Sequence, residues 1–176
     1  ISSSDLEFSI WVYDARKRRY RYRNQSGYGS LTNGIIPMGQ AFFIRAKSEN
    51  ASLTIPKETR RHHDTPLYKA SNEINEELSF VSFEVQQDTL SDGIWVGYQW
   101  DSSDDFDNGI DISKIYTFED EPQLYTAHND EEFCVDIIEE PLEDGKTVAL
   151  NFRVGVTGTH HIEMMMWQGF EYVHVL

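Results

Sequence analysis

The chain has 176 residues, a length that suits one domain or two small lobes. Thirty acidic residues against 15 basic give a net charge of −15, a surface that repels phosphate backbones and anionic membranes. Nucleic acid is thereby disfavoured as a partner, a cation or a basic protein fits better, and the single cysteine, Cys134, excludes an intrachain disulfide framework.

The apolar residues lie in short alternating runs rich in aromatics, with no long 3.6-residue periodicity, so the expected class is all-β. Residues 7–23 read as a hairpin. Phe8, Ile10 and Val12 share one face, Trp11 and Tyr13 the other, and Arg19, Arg21 and Arg23 alternate with Tyr20 and Tyr22 on the return strand. Six of the 15 basic residues fall between Arg16 and Arg23. They read either as a basic stripe for an acidic ligand, or as a solvated face with tyrosines turned inward. The stripe could also meet the chain's own acidic segment. Residues 24–40 form a Gly-, Ser- and Asn-rich loop, followed by short strands at 41–46 and 51–56. The polar stretch up to Pro66 marks a boundary between an N-terminal β lobe, 1–62, and a C-terminal β-sandwich, 66–176. Together these predict an antiparallel, jelly-roll-like β-sandwich built of two packed lobes.

Residues 75–87 alternate, with Phe83 out of phase and a bulge expected there. They pair with 93–100, where Ile94, Val96 and Tyr98 face one way, Trp95 and Trp100 the other, and Gly97 leaves room between the two indoles. An acidic loop through Asp111 follows, then strands near 113–118, 123–127, 131–138, 147–156 and 157–167, and a final FEYVHVL segment. No apolar run is long enough to span a membrane as a helix. The chain begins at Ile1 without a signal-peptide pattern and ends abruptly, so it is expected to be part of a longer polypeptide.

Calcium is the best small-ligand candidate. Asp105-x-Asp107-x-Gly109-x-Asp111 offers alternating carboxylates around a turn glycine, and calcium takes oxygen ligands of this kind. The same aspartates also suit turn capping. The adjacent pairs His62-His63 and His160-His161 point to opposite faces of a strand, and His161 with Glu163 is too small a set for zinc. Cys134 reads as a small buried hydrophobe. The chain carries no G-x-S-x-G elbow and no phosphate-binding glycine loop, so a hydrolase has no motif to rest on. Trp95, Trp100 and Trp167 are the candidate platform for a carbohydrate, and equally candidates for the core.

Two stretches carry a resemblance. Residues 10–46 contain a Tyr–Asp turn followed by I-x-P-x-G-Q-x-F-F, and residues 106–130 contain F-D-x-x-x-D-x-x-K and then P-x-L-Y-T. In order and spacing they resemble a region of large surface proteins exported by the bacterial type IX secretion system. In those proteins the region is a β-sandwich shortly before a C-terminal sorting domain. The resemblance implies an extracellular or outer-membrane-surface location and a structural or adhesive, non-enzymatic module whose partners are glycans or another surface protein. A carbohydrate-binding module of a secreted enzyme or adhesin is the alternative. It also implies that Asp88-Thr89-Leu90 fits a bacterial O-glycosylation acceptor. The upstream strands and sorting domain of such proteins are missing here, so the first lobe is expected to be incomplete, with residues 7–14 on an exposed sheet edge.

Overall fold

The computed structural model describes residues 5–31, 34–60, 78–140 and 145–175. Among these, β1 (Ser9–Asp14) and β2 (Arg19–Asn24) form a two-stranded sheet. The strands β3 (Ser79–Gln87), β4 (Leu90–Gln99), β5 (Ile112–Ser113), β6 (Gln123–His128), β7 (Glu131–Glu139), β8 (Asn151–Arg153) and β9 (His161–Gln168) form a seven-stranded sheet. Its order is β8-β6-β7-β4-β3-β9, with β5 attached to β7. A short 3-10 turn lies at Lys57–Thr59. The all-β expectation holds.

Local chemistry sets the hairpins. In the β1–β2 turn Asp14 Oδ1 accepts from the amides of Arg16 at 3.0 Å and Lys17 at 3.4 Å, and Arg18 takes a left-handed φ of 51°. Asn129 and Asp130 between β6 and β7 both have positive φ, 51° and 61°, as a two-residue turn matched to strand twist requires. One pairing departs from the antiparallel expectation. β4 and β7 run parallel, with Trp95 beside Val135 and Gly97 beside Ile137. Parallel neighbours need a long crossover, and residues 100–130, carrying the acidic segment, β5 and β6, supply it.

The large sheet is covered on both faces. Trp11, Tyr22 and Tyr28 pack with Leu78, Phe80, Trp95, Ile112, Val135 and Ile137 on one side. On the other, Val81, Phe83, Val85, Ile94, Val96 and Leu124 are covered by Val148, Leu150, Phe152, Phe170 and Val173. Central β7 is buried from Phe133 through Ile138 without alternation, as a strand covered on both sides must be. The expected lobe boundary falls in residues 61–77, outside the described residues, but core residues from before and after it share one cluster.

Several expectations are corrected. Residues 51–56 form no strand, and β5 and β8 are shorter than the stretches 113–118 and 147–156 suggested. Residues 41–46 contribute only isolated bridges, Trp11 to Phe43 and Leu6 to Ala46. Those bridges cover the outer side of β1: Trp11 N donates to Phe43 O at 3.1 Å and Phe43 N returns to Trp11 O at 2.8 Å, so β1 is no open edge. The irregularity near Phe83 exists, but in the pairing to β9. Ser82 pairs with Met166 and Phe83 with Met164, which leaves Met165 as the extra residue. Trp100 does not share a face with Trp95; it lies past the end of β4 and is 82% exposed. Gly97 is demanded by its neighbour strands rather than by tryptophans, because a Cβ there would collide with the Ser79 carbonyl and press on Ile137.

Trp11 is wholly buried at the join of hairpin and sheet. Trp11→Ala is expected to cost about 3–5 kcal/mol. Trp100→Ala should stay within about 0.5 kcal/mol, as an exposed change does. Urea denaturation of the two variants checks this, and equal losses would contradict the assignment of Trp11 to the core.

Candidate functional site

The acidic segment is held by its own backbone and its neighbours. Asp107 Oδ2 accepts from Ser103 N at 2.6 Å and Ser103 Oγ at 3.0 Å. Asp105 is exposed and takes a bond from Asn129 Nδ2 at 2.5 Å. Asp111 is buried, receiving Asp107 N at 2.7 Å on one oxygen and Ile137 N at 2.8 Å on the other. Asp104 pairs with Lys146, and that ammonium, helped by the Glu139 amide, holds its carboxyl below the usual range. The three aspartates named for calcium therefore stand at three depths with separate donors. Among the described residues no group of three or more His, Cys, Asp or Glu side chains could hold a metal ion.

The same segment ties the N-terminus to the sheet. Asn108 Oδ1 accepts from Phe8 N at 2.8 Å and its Nδ2 donates to Leu6 O at 3.0 Å, while Ser26 N donates to Gly109 O at 3.1 Å. Other buried acids act similarly. Glu7 takes Ser113 N at 3.1 Å and Ser113 Oγ at 3.0 Å, and burial pushes its carboxyl up. Asp92 binds the buried Lys114 ammonium and accepts from Leu124 N at 2.8 Å. His128 Nε2 lies 3.1 Å from Asp136 Oδ1, its ring stacked on Phe133 at 4.4 Å. This imidazole–carboxylate pair was missed in the sequence, where the adjacent histidines drew the eye. His62-His63 lies outside the described residues, and His161 and Glu163 are both exposed on β9. Cys134 is buried, its Sγ 3.6 Å from Ile112 O and 3.5 Å from Ser113 O, and burial pushes its thiol up strongly.

The structure does not gather the three tryptophans. Trp95 is 8% exposed and stacks on Phe80 with centroids 4.3 Å apart. Trp167 is 49% exposed on β9, level with Val81, and Trp100 stands at the far end of β4. β3 lies between β9 and β4, so the backbones of those two strands stand two strand spacings, roughly 10 Å, apart.

The basic stripe closes onto the protein rather than onto the acidic loop. Arg18 meets Asp120 at 3.3 Å and Glu121 at 2.8 Å, and Arg19 reaches Glu84 at 2.6 Å and Ser91 Oγ at 3.1 Å. Arg21 donates to Ser30 O at 2.7 and 3.1 Å. Tyr22 donates its hydroxyl to Gly93 O at 2.6 Å. Between β2, the 27–30 loop and the β3–β4 face these contacts leave a cleft of about 190 Å³. Arg23, Ser82, Trp95, Met165 and Met166 are among its walls. A broader, shallower depression by Arg45, Lys114 and His128 has these side chains committed to Glu7, Asp92 and Asp136.

These features define a layered all-β protein. The chain belongs to the family described as a domain of unknown function (DUF8693), whose model matches residues 3–172. Comparison with curated proteins and with solved structures gave no match.

Burial raises the Asp111 carboxyl to about 8, against the opposing pull of the Asp107 and Ile137 amides. A carboxyl whose folded value is raised binds its proton more tightly in the native state. Its stabilising contribution is complete below about pH 4, its unfolded value, and is lost as pH rises toward 8. The urea midpoint of the wild type relative to Asp111→Asn should therefore fall between about pH 4.5 and about pH 8. A difference constant across that window would contradict a raised Asp111.

Proposed function

We propose that this chain is a non-enzymatic β-module of an exported, cell-surface or secreted bacterial protein, with a structural or adhesive role. The observation that carries the reading is the outer strand β9. Among the described residues it pairs only with β3. Ile162, Met164, Met165 and Trp167 on it are each about half exposed, in a chain of net charge −15. An unpaired apolar strand edge is a template for another strand, and soluble proteins normally guard such edges with charges or proline. The complementary occupant is an extended polypeptide strand with basic residues, which adds main-chain hydrogen bonds on β9 and relieves the acidic charge. The likeness of residues 10–46 and 106–130 to type IX-exported surface proteins supports placement outside the cell. The alternative, carbohydrate binding, draws on Trp100, whose indole is free to stack on a sugar ring.

Two measurements test this. Protease added to intact cells should cut the full-length protein, and complete protection would contradict a surface location. Lysines at Ile162 and Trp167 should leave the fold intact and weaken attachment of the purified chain to those cells by about tenfold. Unchanged attachment, together with a hit on a glycan array lost in Trp100→Ala, would transfer the function to the carbohydrate reading.

A further inference from the structure

We infer that the cleft between β2 and the β3–β4 face binds a small organic carboxylate, with its charged group on Arg23 and a compact apolar body against Leu78, Trp95, Met165 and Met166.

The first observation is the state of Arg23. Three other arginines of the stripe are committed: Arg18 to Asp120 and Glu121, Arg19 to Glu84, Arg21 to the Ser30 carbonyl. No described residue accepts a hydrogen bond from the Arg23 guanidinium. Yet the side chain is half-buried, and burial alone lowers its affinity for its proton. A desolvated guanidinium without an acceptor is costly, and a planar carboxylate matches its fork of donors. Glu84 does not fill that need, because Arg19 holds it.

The second observation is Ser82. It is 4% exposed, lines the cleft, and its Oγ is buried without a hydrogen-bond partner in the protein. A ligand oxygen in the cleft supplies the partner, since a hydroxyl both donates and accepts.

The third is the shaping of the walls. Gly27 and Gly34, both at positive φ, flank Arg23: a Cβ on Gly27 would stand 3.2 Å from its Nη2, and one on Gly34 3.2 Å from its Cδ. The two glycines thus give the guanidinium its place. On the opposite side, Met165 and Met166, at the extra residue in β9, both line the wall. Methionine is the side chain that adapts best to an apolar ligand.

Size and polarity narrow the class. The cleft of about 190 Å³ is close to a cavity of about 150 Å³ that holds a benzene ring. One ring or a short branched chain bearing one carboxylate fits. The apolar body of the cleft favours an aromatic or aliphatic acid over a hydroxylated sugar acid.

Benzoate is the probe, followed by calorimetry and by amide shifts in nuclear magnetic resonance spectra of the wild-type chain. Saturable binding is expected, with shifts centred on Gly27, Gly29 and Gly93. Benzamide, the same shape without charge, should bind about tenfold more weakly, and Arg23→Gln should lose about as much for benzoate while keeping its melting temperature. Ser82→Ala should show a smaller loss in the same direction. The benzamide comparison needs no variant, so it stands even if Arg23→Gln unfolds. Absence of saturable shifts, or benzamide and benzoate binding alike, overturns the proposal. So does inorganic phosphate competing as well as benzoate, which would leave only a charge patch, or glucuronate binding more tightly, which would leave only a sugar-acid site.

Discussion

The structure depends on covering both faces of the central strands β3, β4 and β7. A strand buried on one side can alternate; Phe133 to Ile138 do not, so each face needs its own layer. The β1–β2 hairpin is one layer, and residues 148–152 with Phe170 and Val173 are the other. Neither layer is joined to the large sheet by a strand ladder, except where β8 pairs β6. Side-chain packing therefore does most of the joining, with Trp11, Tyr22 and Tyr28 filling one interface. Polar contacts fix the orientation: the Tyr22 hydroxyl on Gly93 O, Arg19 on Glu84, and Asn108 on Leu6 and Phe8.

The charge of the chain acquires a different meaning in this light. A net charge of −15 suggests a solvated acidic surface, but Glu7, Asp92, Asp111 and Asp136 are all buried. Each bonds to a specific group: a serine, a lysine, two backbone amides and a histidine. Removing one member of a buried ion pair such as Asp92–Lys114 strands the other charge, at a cost of about 3–5 kcal/mol. These acids act as fasteners between segments distant in sequence. The arginine stripe does the same from the hairpin side, and only at Arg23 does a cation face a cleft without an acceptor among the described residues.

Much of the fold was legible because it is local. The alternation of Arg and Tyr in residues 19–23 set the hairpin and turned Tyr22 inward, and the runs that became β3, β4, β6, β7 and β9 stood out by pattern and turn residues. What period and turn chemistry do not encode is which strands become neighbours, so the parallel β4–β7 pairing was hidden. Trp100 was misplaced because strict alternation separates residues five apart, and because the strand stops before it. The acidic segment was ambiguous in principle: capping an amide and ligating calcium ask for the same carboxylate oxygens, and only the position of the donors decides. The cleft was not legible at all. It needs Arg23 from one sheet, Ser82 and Trp95 from the other, and an extra residue in β9, which no local pattern announces.

Amide hydrogen exchange tests the shared core most directly. If packing alone makes the hairpin a layer of the same folded unit, the Trp11 and Phe43 amides, which bond to each other's carbonyls, open only with the whole molecule. Their exchange should then give the same opening free energy, and the same denaturant dependence, as the amides of Val96 in β4 and Ile137 in β7. Trp11 and Phe43 exchanging through a separate opening of lower free energy, while β4 and β7 stay protected, would contradict it and make the hairpin an independent unit docked on the sheet.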